Sequence, residues 1–141
     1  MSQENVELVR SWLDEWAGWF NSERDPDRLS RIVSQYLALD VTYEEDPRWP
    51  DAGTFRGQDA LTRRVREYAD LLHLERVSPG EVIDAGDLVL AEFRIWMLGA
   101  DVGEPVEFLW TFTVGFENGR VAHVRAWYNR EEALEAAGLS E

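Results

Sequence analysis

Apolar residues at Val6, Val9, Leu13, Trp16 and Phe20 recur at spacings of 3, 4, 3 and 4, the period of an α-helix. This stripe predicts a helix over residues 3–21, with Ser2 as its cap and Glu4 in its first turn. Leu8, Trp12 and Trp19 widen the apolar face, so the helix should be covered on more than one side. Asp25-Pro26 opens a second helix, the aspartate as cap and the proline at the first helical position. Its buried face is Leu29, Ile32, Val33, Tyr36 and Leu37. A short strand follows over 41–46 and stops at Pro47. The segment PRWPDAGTFRG reads as a loop. A third helix, over 59–72, buries Leu61, Val65, Tyr68, Ala69 and Leu72 and leaves Arg63, Arg64 and Arg66 on its outer side.

At residue 73 the period changes to two. Strands are predicted at 73–83, 88–98, 105–116 and 120–128. Asn118-Gly119, between Phe116 and Val121, is the strongest hairpin signal. Asn129 and Glu132 form a capping arrangement for a last short helix that ends at Gly138. Helices grouped ahead of an antiparallel meander define an α+β class. The sheet must curl around the long first helix, leaving a pocket between them. Residues 1–141 read as one domain, without repeat or low-complexity run.

Composition removes several chemistries. There is no cysteine, hence no thiol nucleophile or thiolate metal site, and all 14 basic residues are arginine, which excludes lysine chemistry. Against 28 acidic residues the net charge is −14, unfavourable for nucleic acid and for anionic membranes. His73 and His123 stand far apart, and no metal-ligand spacing, nucleophile elbow or phosphate loop occurs. No cofactor and no metal are expected. The amino terminus carries no signal-peptide pattern and no stretch is long enough to span a membrane, so a cytoplasmic location is the expectation.

The element order, with ENVELVRSW at the start, EEDPRWPDAGTFRG in the middle and ENGRVAHVRAWYNREEALEAAGL at the end, resembles the SnoaL-like branch of the nuclear transport factor 2-like superfamily. The resemblance implies a cone-shaped barrel, in which a curved, mostly antiparallel sheet wraps the long N-terminal helix, with additional short helices. It implies a general base at Asp46 of Asp46-Pro47, the place that the ketosteroid isomerases of this superfamily use. The tyrosine of their oxyanion hole falls near Trp16, and its aspartate near Trp110 or Phe112, so the base is kept and the hole is not. Ala126 stands where SnoaL-like cyclases and limonene epoxide hydrolases carry an essential aspartate. The tyrosine of the latter corresponds to Tyr43.

The residues themselves set the candidates. Asp46, held extended before proline, would act as base if an apolar pocket raised its pKa; otherwise it is a turn residue. Tyr43 and Glu45 alternate with Glu44 and Asp46, so the two pairs should point to opposite faces unless the strand bends. Glu44 and Glu45 are expected in solvent. Phe108, Trp110, Phe112, Val114 and Phe116 share one face of a strand, as core, as pocket wall or as both along a tapering cone. Ala122, Val124, Ala126 and Tyr128 should face inward, Tyr128 lining the pocket. His123, Arg125 and Trp127 then face outward, a pattern suited to a homodimer contact. Arg94 should ion-pair with Glu92 or a cross-strand acid.

The expectation is therefore a domain that binds a small apolar molecule with Tyr43, Trp16, Trp110, Phe112 and Tyr128. It acts either as a cofactor-free isomerase, cyclase or dehydratase through Asp46, or as a non-catalytic binding or structural dimeric module.

Overall fold

A computed structural model describes residues 2–71, 74–98 and 105–139 of the chain. The elements run α1 (Ser2–Phe20), α2 (Pro26–Tyr36), β1 (Leu37–Glu44), β2 (Thr54–Arg56), α3 (Gln58–Leu71), β3 (Leu74–Ala85), β4 (Leu88–Leu98), β5 (Pro105–Glu117), β6 (Arg120–Trp127) and α4 (Arg130–Ala136). Six strands form one sheet in the order β2-β1-β6-β5-β4-β3. Every pairing is antiparallel except β1 with β6. The sheet is curved and does not close. His73 lies outside the described residues.

The wide stripe on α1 is buried as its pattern requires. Val9, Trp12, Leu13, Trp16, Trp19 and Phe20 all lie in the core, between α2 on one side and β3 and β4 on the other. Trp12 stacks on Trp16 with centroids 4.7 Å apart, and Trp16 meets Phe93 edge-on at 5.7 Å, arrangements that add to simple area burial. At the end of α1, Asn21 behaves like a strand residue. Its amide donates to the Val77 carbonyl at 2.7 Å and its oxygen accepts from the Val77 N–H at 2.9 Å, fixing the helix to β3.

Curvature enters at β3, where the register shifts between Pro79 and Val82, a bulge that bends a strand. Gly80 sits there for want of space: an added Cβ would lie 3.0 Å from the Glu92 Cβ and 3.2 Å from its carbonyl oxygen. The β5–β6 hairpin turns on Asn118 and Gly119 at φ 53° and 75°, the pair of positive values that a type I′ turn needs. Asn129 caps α4 as expected: its oxygen accepts the Glu132 N–H at 2.9 Å and its amide donates to the Glu132 carboxylate at 2.8 Å.

Two departures shape the site. The strand read at 41–46 runs instead from Leu37 to Glu44, because the Leu29–Leu37 apolar run leaves its helix at Tyr36 and continues directly into sheet. Thr54–Arg56, read as loop, pairs with Thr42–Glu44 as an edge strand. Three residues are too short for a periodic signal.

Candidate functional site

Strand β1 ends at Glu44, and with it the alternation of faces. Glu45 and Asp46 are both buried, at 7% and 2% exposure, although the pleat assigns them to opposite sides and the sequence suggests solvent for Glu45. The chain bends there, and both carboxylates turn inward to build the loop over 45–53. Glu45 accepts from Arg64 Nε and Nη2 at 2.7 Å each, and from the Gly53 N–H at 3.1 Å. Arg64, expected on the outer side of α3, is folded over this carboxylate between the rings of Phe55 and Tyr68.

Asp46 is committed in the same way. Its oxygens accept the Arg48 N–H at 3.0 Å, Arg48 Nε at 3.0 Å, Arg48 Nη2 at 2.8 Å and the Tyr128 N–H at 2.9 Å. The Arg48 guanidinium reaches on to Glu132 at 2.6 Å and lies over the Tyr128 ring. A general base in an apolar pocket calls for a desolvated carboxyl with a raised pKa. The Arg48 side-chain hydrogen bonds instead hold the Asp46 carboxyl well below the usual range, aided by the backbone N–H donors, and outweigh its burial.

The loop so pinned presents Trp49 edge-on to Trp110, centroids 6.5 Å apart. Between them opens a mouth pocket of about 350 Å³, walled by Trp49 and Pro50 of the loop, Tyr68 and Leu71 of α3, Phe108 to Trp110 of β5, and Tyr128. Its charged lining residues are Glu45, Asp51 and Arg64. Of these, the buried Glu45 and the half-buried Arg64 are bound to each other. The wall is therefore largely apolar.

Behind the mouth, the interior is filled. Trp16, Tyr43, Phe93, Trp110 and Phe112 enclose a space of only about 10 Å³. The Tyr43 and Tyr68 hydroxyls hydrogen-bond to each other at 2.7 Å. Burial, reinforced by the nearby Glu45 charge, raises the Tyr43 pKa well above its ordinary value, so this phenol stays protonated. Of the five aromatic candidates, Trp110 and Tyr128 reach the mouth pocket. Tyr43, Trp16 and Phe112 line only the inner space. Trp49, Tyr68, Leu71, Phe108 and Leu109 complete the mouth. Tyr68 and Phe108 were legible as apolar-face residues, whereas nothing in the loop's sequence singles out Trp49.

Along β6, Ala122, Val124 and Ala126 face inward and are buried, while His123 and Arg125 on the outer side of the sheet are exposed. Trp127, half-buried, donates to Thr113 Oγ1 at 2.9 Å beneath the Arg125 guanidinium. Arg94 pairs with Glu107 at 2.8 Å, while Glu92 is taken by Arg130 at 2.6 Å. Among the described residues no cluster suited to a metal ion is present, and no helix is long and apolar enough to cross a membrane.

An α+β cone with a curved six-stranded sheet and an apolar mouth is the architecture of the nuclear transport factor 2-like proteins. Within that class, the SnoaL-like domain matches residues 9–124, and the chain belongs to this family. Among curated proteins none matches. Solved structures share the fold at low identity. A candidate SnoaL-like polyketide cyclase from a Jannaschia species superposes with TM-score 0.68 at 17% identity, covering 100% of this chain and 95% of that one. A nuclear transport factor 2-like protein of unknown function from Burkholderia pseudomallei gives 0.64 at 22%, covering 96% and 97%. A hypothetical protein with a ketosteroid isomerase-like fold from Catenulispora acidiphila, in complex with trimethylamine, gives 0.62 at 16%, covering 91% and 92%.

Proposed function

We propose that this domain binds a small, uncharged, apolar molecule in the mouth pocket between Trp49, Tyr68, Phe108, Trp110 and Tyr128. The observation that carries the reading is a space of about 350 Å³, within the range of small-molecule sites, in whose wall the buried Glu45 is neutralised by Arg64. A charged ligand would have to break the Glu45–Arg64 pair to gain a partner in the buried wall, leaving a buried ion uncompensated. An apolar ligand leaves the pair intact.

Binding, rather than proton transfer by Asp46, is the reading this geometry favours. A general base needs an accessible lone pair and a pKa near the working pH. Asp46 lies outside the pocket lining, spends its oxygens on four hydrogen bonds and is held strongly acidic.

N-phenyl-1-naphthylamine, a neutral probe whose emission rises on leaving water, tests the site. Its fluorescence should rise saturably with wild-type protein. Leu109→Glu, at a rim residue already 48% exposed, should weaken binding about tenfold or more by placing a charge beside apolar surface. A probe that does not bind, or that binds Leu109→Glu equally well, refutes the reading.

A further inference from the structure

Acids outnumber arginines two to one in this chain, 28 to 14, and most of the arginines are committed. Arg28, Arg48, Arg64, Arg94 and Arg130 pair with carboxylates. Arg24 and Arg120 donate to backbone carbonyls, and Arg76 and Arg125 lie over tryptophan rings. Arg63 and Arg66 of α3 do none of these things among the described residues, and both are exposed. Three positions apart on one helix, they repel each other, a small cost that no ion pair offsets. Arg10, Arg31 and Arg56 are likewise uncommitted, but Arg63 and Arg66 share a groove as well.

That groove lies between α2 and α3 and has a volume of about 480 Å³. From α2 come Ser30 and Ser34, one turn apart, with the buried Val33 between them. From α3 come Gln58, Asp59, Thr62, Arg63 and Arg66. The wall is mainly polar, the reverse of the mouth, and the two share no lining residue. Thr62 donates to the Gln58 carbonyl at 2.7 Å and the Gln58 amide to the Leu37 carbonyl at 3.0 Å. The Ser30 and Ser34 hydroxyls have no partner among the described residues. Asp59 is the one acid in the lining and is not ion-paired with either arginine. Two guanidiniums against one carboxylate leave the groove at +1, on a chain of −14.

We propose that the α2–α3 groove is a second ligand site and that it takes a phosphate monoester. Its unspent groups are donors: two guanidinium forks and two serine hydroxyls. The three terminal oxygens of a phosphate accept from several of these at once, whereas the two oxygens of a carboxylate satisfy fewer. The volume exceeds what a phosphate group fills, so the organic remainder of the ligand lies along Val33 between the helices. The negative charge of the chain opposes an anion at long range, but salt screens it beyond about 8–10 Å, while the guanidiniums act in contact. The site is independent of the mouth, so a phosphorylated and an apolar molecule can be held together.

Phenyl phosphate is the probe, titrated into ¹⁵N-labelled protein near neutral pH, in phosphate-free buffer at fixed ionic strength. The Nε–H resonances of Arg63 and Arg66 and the backbone N–H resonances of Ser30 and Ser34 should shift saturably. Benzoate, which carries a carboxylate on the same ring, should bind about threefold or more weakly. Arg63→Gln/Arg66→Gln should weaken phenyl phosphate binding about tenfold or more. Both side chains are exposed, so this variant should keep the wild-type melting temperature and the wild-type response to N-phenyl-1-naphthylamine. No saturable shift at these four residues, an affinity that the double variant keeps, or benzoate binding as tightly as phenyl phosphate overturns the proposal. The phosphate readouts do not depend on whether N-phenyl-1-naphthylamine binds, so the groove and the mouth fail separately.

Discussion

Asp46→Asn separates a structural pin from a catalytic base. In the folded chain the carboxylate accepts four hydrogen bonds, three from Arg48 and one from the Tyr128 N–H. An asparagine of the same shape keeps one acceptor oxygen and turns an NH₂ group toward the guanidinium. It loses the charge-assisted contacts and leaves a backbone N–H without its acceptor. Breaking a buried ion pair costs about 3–5 kcal/mol. Here the Arg48 side chain is 46% exposed and keeps Glu132, so water and the second carboxylate screen it, and the loss should come down to about 2 kcal/mol. For a chain of 141 residues that corresponds to a melting temperature lowered by about 6–8 °C. Thermal unfolding followed by circular dichroism at pH 7 measures it directly.

The pH dependence adds an independent sign. Folding depresses the Asp46 pKa, so its contribution is complete above the unfolded value of about 3.9 and fades as pH falls below it. The gap between wild type and Asp46→Asn should stay constant from about pH 8 to pH 5 and close below about pH 4. A carboxyl desolvated in an apolar pocket behaves in the opposite way: its pKa is raised, and its neutral amide analogue is tolerated or stabilising. A melting temperature unchanged within about 2 °C, or a gap that widens as pH falls, would refute the pin.

Two further outcomes test the walls around the site. Glu45→Gln should destabilise by about 3 kcal/mol in urea unfolding, because Arg64 loses a buried carboxylate, and Glu45→Gln/Arg64→Met should recover a large part of it. Strict additivity of the two single changes would mean that the pair is not coupled. We also propose that the sheet face bearing His123, Arg125 and Trp127 is a homodimer contact. Trp127→Glu should then lower the mass seen by light scattering, and an unchanged mass rejects that interface.

How much of this was legible follows from which signals are periodic. The α1 stripe, the Asp25-Pro26 and Asn129 caps, the Asn118-Gly119 turn and the β4–β6 alternation are local rules repeated over many residues, and the fold obeys them. Between residues 44 and 58 there is no period to read. The bend after Glu44 places Glu45 and Asp46 both inward, and each is kept there by an arginine, one 19 positions on and one 2 positions on. Neither pairing is visible before the chain is folded. The same limit applies to depth. Alternation assigns Phe108, Trp110 and Phe112 to one face correctly, yet it does not say how far along the cone the large side chains have already closed the interior. Trp16, Phe93 and Phe112 fill the deep end. Cavity space therefore opens at the mouth, where a tryptophan from an aperiodic loop supplies the facing wall. A pocket is a difference between side-chain volume and backbone envelope, and that difference is set by contacts between segments distant in sequence.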